Sequence, residues 1–125
     1  MDEPKRFESH VYKLLERADW ESIEGQAEWD GSEVDRRDGF IHFSAADQVA
    51  ETLRKHFATA SELVLLSVST STVSLTWEPS RGGALFPHLY GPLPLGAIDR
   101  VEHLPRGPSG HELPPTLGLD SQRRE

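Results

Sequence analysis

Leu63-Val64-Leu65-Leu66-Ser67-Val68 carries apolar side chains on both faces of an extended chain for most of its length. Alternate residues of a strand point to opposite faces, so such a run settles only where protein covers it above and below. It therefore reads as the central strand of a sheet packed on both sides. Val11-Tyr12-Lys13-Leu14-Leu15 reads as a first strand, and Ala97 to Leu104 alternates as a final strand with one wet face. Phe40 to Phe43, Ser74 to Glu78 and Leu85 to Tyr90 supply further strands, the last marked as an edge strand by Pro87.

One principal helix is predicted from Ala45 to about Ala58. Ala46, Val49, Ala50, Leu53 and Phe57 recur at spacings that form one apolar stripe. Ser44, followed three residues later by Asp47, resembles a capping box, and Glu51 and Lys55 add a favourable pair one turn apart. A shorter helix is expected around Asp19 to Gln26, with Asp19 as its N-cap. The acidic stretch from Glu28 to Asp38, which contains Gly31, reads as an exposed loop. Residues 1–9 are charged and read as a flexible N-terminus, and residues 106–125, rich in glycine, proline and charge, as a mobile tail. Residues 10–105 then form a single globular domain of the α+β class.

The charge balance narrows the partners. A formal net charge of −8 in 125 residues, with no long basic run, argues against a nucleic-acid surface. It leaves room for a nucleotide-sized ligand, which needs only one or two cations. With no cysteine in the chain, disulfides and thiolate catalysis are excluded. No apolar run approaches the roughly 20 residues that span a bilayer, so no membrane association is expected. The N-terminus lacks the apolar core of a signal peptide, which predicts a cytoplasmic location.

Chemistry-bearing residues gather in two segments. In Asp38-Gly39-Phe40-Ile41-His42-Phe43-Ser44, alternation sends Ile41 and Phe43 to one face and Phe40, His42 and Ser44 to the other. His42 can act as acid or base near neutral pH, or donate to a ligand hydroxyl; a buried histidine bonded to backbone is the other reading. Ser44 is most simply a helix cap and can also lie beside a bound anion. Downstream, Glu78 can orient a sugar hydroxyl or accept a proton, and Arg81, next to Gly82-Gly83, can bind phosphate as a fork. His88 and Tyr90, with Phe86, share one face if extended and can hold a ribose or flank a planar ring. His42, Glu78 and His88 make a known type of metal-ligand set, but none shows the short spacing of a metal motif, and no metal is expected.

Together, these motifs with Gln48-Val49, His56-Phe57, Trp77-Glu78 and Phe86-Pro87-His88-Leu89-Tyr90-Gly91-Pro92 resemble the domain-of-unknown-function 952 family of small bacterial proteins, over roughly Val11 to Leu104. That family is grouped with the ADP-ribosyltransferase-like superfamily. The resemblance implies a split pair of small, mostly antiparallel sheets with NAD bound in the cleft between them. It also implies a ribose contact at His42, a strand-to-helix position at Ser44, an aromatic at Tyr90 and an acid at Glu78. Lys13 stands in the first strand where a superfamily histidine is expected.

The resulting expectation is a cleft that binds NAD or a related nucleotide and transfers ADP-ribose. His42 and Glu78 are its catalytic residues, and Ser44, Arg81, His88 and Tyr90 its ligand-binding residues. Two alternatives stay open: a non-catalytic binding module for a small ligand, and a metal-dependent hydrolase built on His42, Glu78 and His88. All depend on the two segments meeting in space.

Overall fold

The computed structural model describes residues 8–80, 83–107, 110–114 and 117. Arg81, residues 1–7 of the N-terminal segment, and residues 108–109, 115–116 and 118–125 of the tail lie outside them. In chain order the elements are β1 (His10–Glu16), α1 (Arg17–Ile23), β2 (Glu28–Trp29), α2 (Glu33–Asp38), β3 (Ile41–His42) and α3 (Val49–His56). β4 (Leu63–Ser69), β5 (Leu75–Pro79), β6 (Leu85–Leu89), β7 (Leu93–Pro94), β8 (Ile98–Leu104), β9 (Arg106–Gly107) and β10 (Gly110–His111) follow. The architecture is α+β, and the small sheets are antiparallel.

β4 lies between β1 and β8, as its two-faced apolar pattern requires. Its alternation divides the core. Val64, Leu66 and Val68 join Val11 and Leu15 of β1 against Ile41, Phe43 and Leu89, which belong to or adjoin the second sheet, β3-β6-β5. Leu63 and Leu65 turn to the opposite side and pack with Tyr12, Leu14 and Val49, with Leu53 of α3 and Phe57 at its C-cap against them. One strand thus buries both faces. Each fully buried Val or Leu there is worth about 1.5–3 kcal/mol relative to exposure.

The sheets meet at Ser44, whose N–H and C=O exchange bonds of 2.8 Å with the backbone of Tyr12. The residue just before it, Phe43, donates from its N–H to the Pro87 carbonyl at 3.0 Å. The N–H and C=O of one strand residue lie on the same side, so the donor that proline lacks falls opposite Phe43, where β3 ends. Pro87 is therefore not on an edge, as its type suggested. β6 is central, and the proline sits where its partner strand runs out.

Beyond that point Gln48 takes over. Its Oε1 accepts from the Ala45 N–H at 2.9 Å, and its Nε2 donates to the Leu85 carbonyl at 2.7 Å. Ser44 does not cap the helix; its hydroxyl pairs with that of Thr52 at 3.0 Å. The predicted helix begins as a 3₁₀ turn at Ala46–Gln48 and continues as α3 to His56, with Ala50 exposed rather than on the packed stripe. Asp19 lies inside α1, whose N-cap position is Glu16.

The expected loop from Glu28 to Asp38 is ordered structure. Trp29 is buried on β2, which pairs with β7, and α2 opens with a capping box between Ser32 and Asp35. Gly39 closes α2 in the left-handed conformation, at φ 90°. In the stretch read as a tail, β9 pairs with β10, Leu117 is buried, and Arg106 and His111 both bond to the Ala60 carbonyl. Among the described residues, no helix is long and apolar enough to cross a membrane.

Candidate functional site

Lys13 alternates with Val11 and Leu15, so its side chain enters the face between the sheets rather than solvent. A lone ammonium there would be costly, and the fold supplies it with a partner. Lys13 Nζ lies 2.9 Å from Asp35 Oδ2 and donates to the His42 carbonyl at 2.8 Å; Asp35 itself is 2% exposed. Asp35 also accepts from the N–H of Ser32 at 2.9 Å, from the N–H of His42 at 3.1 Å, and from His42 Nδ1 at 2.6 Å. Burial alone would raise this carboxyl. The His42 bond and the charge and bond of Lys13 outweigh it and hold Asp35 far below the usual carboxylate range. Burial pushes Lys13 below its ordinary value, against the pull of Asp35.

His42 is thereby fixed. Asp35 holds its Nδ1, and Asp38 Oδ2 lies 3.0 Å from its Nε2. Asp38 is held below the usual carboxylate range, first by its bond from Arg37. The capping box brings Asp35 to this position, and Gly31 makes room for it. A Cβ on Gly31 would sit 2.5 Å from the Asp35 Cβ, and its φ of +100° already suits glycine.

The second segment arrives through strand register. His42 is the cross-strand partner of His88, and Thr76 lies opposite His88 on the other side. Glu78, two residues along β5, reaches His88 diagonally. Its Oε1 accepts from His88 Nδ1 at 2.6 Å and from the Tyr90 hydroxyl at 2.8 Å. These bonds, from His88 first and Tyr90 second, hold Glu78 below the usual carboxylate range, and the Glu78 bond raises the Tyr90 phenol. Phe40 is wedged among the rings, stacked on His88 at 4.1 Å and tilted against His42 at 4.6 Å and Tyr90 at 5.1 Å. The two imidazoles are 5.4 Å apart.

A cleft of about 640 Å³ opens here, and His42, Ser44 and His88 line it together with Lys13, Asp35 and Asp38. The two segments therefore do converge. Glu78 and Tyr90 join the same network through His88 but are not among the lining residues. Arg81 lies outside the described residues. Among the described residues, no group of three or more His, Asp and Glu side chains is arranged to hold a metal ion.

Sequence reasoning missed Asp35 and the part Lys13 plays. A signal existed in each case: a lysine at an inward position between Val11 and Leu15, and Ser32-x-x-Asp35 followed by Gly39.

The same fold is found in protein CC0527 from Caulobacter crescentus. Its crystal structure is 43% identical and superposes with a TM-score of 0.81, covering 88% of this chain and 99% of that one. The solution NMR structure of the same protein gives a TM-score of 0.74 at 43% identity, over 89% of this chain and 95% of that one. No curated protein matches. Residues 14–101 match the family model described as "Protein of unknown function (DUF952)", and the chain belongs to that family.

Proposed function

We propose that the cleft binds NAD or a related nucleotide, with His42 and His88 contacting ribose hydroxyls. The observation that carries this reading is the pair of imidazoles on partnered strands, each held by a carboxylate and both lining one cleft. Fixed rings cost little ordering entropy on binding. The volume of about 640 Å³ falls within the roughly 300–1,000 Å³ of small-molecule sites.

The charge of the lining favours the nicotinamide–ribose end of such a ligand. Asp19, Glu33, Asp35 and Asp38 face it, while Lys13 is paired with Asp35 and Arg37 with Asp38. Carboxylates around a ribose stabilise the positive charge that develops when its glycosidic bond breaks, as transfer of ADP-ribose requires. Tyr90 is proposed to stack on a ring at the rim, and Arg81 to neutralise phosphate. Isothermal titration with NAD and with ADP-ribose tests this: binding that His42→Ala weakens tenfold or more is expected. No heat with either at millimolar ligand defeats it.

One observation favours a second reading, binding without turnover. Glu78, the acid expected to be catalytic, is not among the lining residues and has its Oε1 engaged by both His88 and Tyr90. Under that reading NAD binds and is released unchanged.

A further inference from the structure

We propose that His88 Nε2 is the atom that accepts a hydrogen bond, and then a proton, from a ligand hydroxyl in the cleft, and that Glu78 and Tyr90 are positioning residues that aim it. The inference rests on the small-ligand reading of the cleft and assigns its acid–base group.

The argument begins with the two ring nitrogens. A carboxylate can only accept, so the 2.6 Å contact with Glu78 makes Nδ1 the donor and leaves the Nε2 lone pair unprotonated in the neutral ring. His88 is 5% exposed, lines the cleft, and its Nε2 has no hydrogen-bond partner among the described residues. The atom is not sealed off in the interior, and the ring it belongs to lines the cleft. A polar ring so deeply buried and left with one vacant acceptor is unusual, since buried polar groups are normally paired.

His42 differs. Carboxylates stand at both of its nitrogens, so a ligand hydroxyl contacts His42 only by taking the place of the partly exposed Asp38 at Nε2. Phe40 stacked on His88 fixes the ring plane, and the Tyr90 hydroxyl fixes the carboxylate that fixes the ring. The partner that suits this site is a hydroxyl donor such as a ribose diol. In the step proposed, the hydroxyl O–H bond breaks with its electron pair kept on the ligand oxygen, an Nε2–H bond forms, and the new Nε2–H holds that oxygen as an ion pair with the imidazolium. The charge that appears on the ring is stabilised by Glu78 through Nδ1–H, and no other reactant is needed.

Histidine ¹⁵N spectra of the full chain at mildly alkaline pH test the assignment without a ligand. His88 is expected as the Nδ1–H tautomer, with a pyridine-like Nε2 signal. In Glu78→Gln the carboxamide can donate or accept, so the signal moves toward a tautomer mixture, while a purely structural role for Glu78 predicts no such change. Adding NAD or ADP-ribose is expected to shift the Nε2 signal, and His88→Asn, which retains a group near Nδ1 only, to weaken binding tenfold or more. An Nε2–H tautomer in the wild type overturns the inference. So does nucleotide binding that leaves the Nε2 signal unmoved. Absence of nucleotide binding with the Nδ1–H signature intact defeats the nucleotide reading and supports the aim given to His88.

Discussion

Replacing Asp35 by asparagine tests the physical core of the site. The change keeps the shape and removes the charge. Asp35 accepts from Lys13 Nζ, from both the backbone and Nδ1 of His42, and from the Ser32 N–H. An amide in its place confronts one set of these donors with its own NH₂ group. Lys13, whose side chain is 10% exposed, is left as a charge without a counterion. Breaking one side of a buried pair costs about 3–5 kcal/mol, which is a large share of a total stability of roughly 5–15 kcal/mol. At about 4 °C per kcal/mol for a domain of this size, Tm should fall by about 12–20 °C.

The companion change Lys13→Met removes the other charge and keeps the bulk of the stem. In the double variant no orphan charge remains, so its loss should be smaller than the sum of the single losses by about 1–3 kcal/mol. Urea melts followed by circular dichroism, with scanning calorimetry, measure all four corners of the cycle. A loss below about 1 kcal/mol in Asp35→Asn, or additivity within about 0.5 kcal/mol in the double variant, would refute the reasoning.

Further outcomes follow from the contacts described above. Because the folded state holds Asp35 below its ordinary value, its contribution is fully present above about pH 4 and is lost as pH falls further; Asp35→Asn should flatten the acid limb of a stability–pH profile. Gly31→Ala adds a Cβ that overlaps Asp35 as well as a left-handed strain, so equilibrium melts should show at least about 2 kcal/mol lost. Gly25→Ala, at φ +93° with nothing within 4 Å, should show only the strain and so lose less. Gln48→Ala leaves the Ala45 N–H and the Leu85 carbonyl unpaired and should cost about 1–3 kcal/mol, with faster amide exchange at Ala45.

Much of the scaffold could be read from side-chain pattern alone, because its logic is local. Leu63 to Val68 announces a central strand, and the alternation of β8 and the residues of β1 needed no partner to be recognised. The facing of Ile41 and Phe43 into the core, with His42 away from it, follows from alternation too. What escaped depends on contacts far along the chain. Glu28 to Asp38 reads as a wet loop because its charges are counted one by one. Asp35 is buried only because Lys13, 22 residues earlier, arrives to meet it. Ser44 has the residue type of a cap, yet its hydroxyl turns to Thr52, and it is Gln48, reaching back from the first turn, that accepts from the Ala45 N–H. Proline type marks strand edges on average, and it misled here because the neighbouring strand stops beside it.

The glutamine relay between Ala45 and Leu85 has a consequence for shape. Neighbouring strands are normally spaced about 4.8 Å apart by direct bonds, and inserting a side-chain amide between donor and carbonyl spreads them by the width of that amide. The same two chains that are zipped together at Ile41 and Leu89 are joined four residues later through the Gln48 amide, which satisfies both the Ala45 N–H and the Leu85 carbonyl. The amide acts as a strut between the two chains, beside the hollow that Ser44 and Phe86 line.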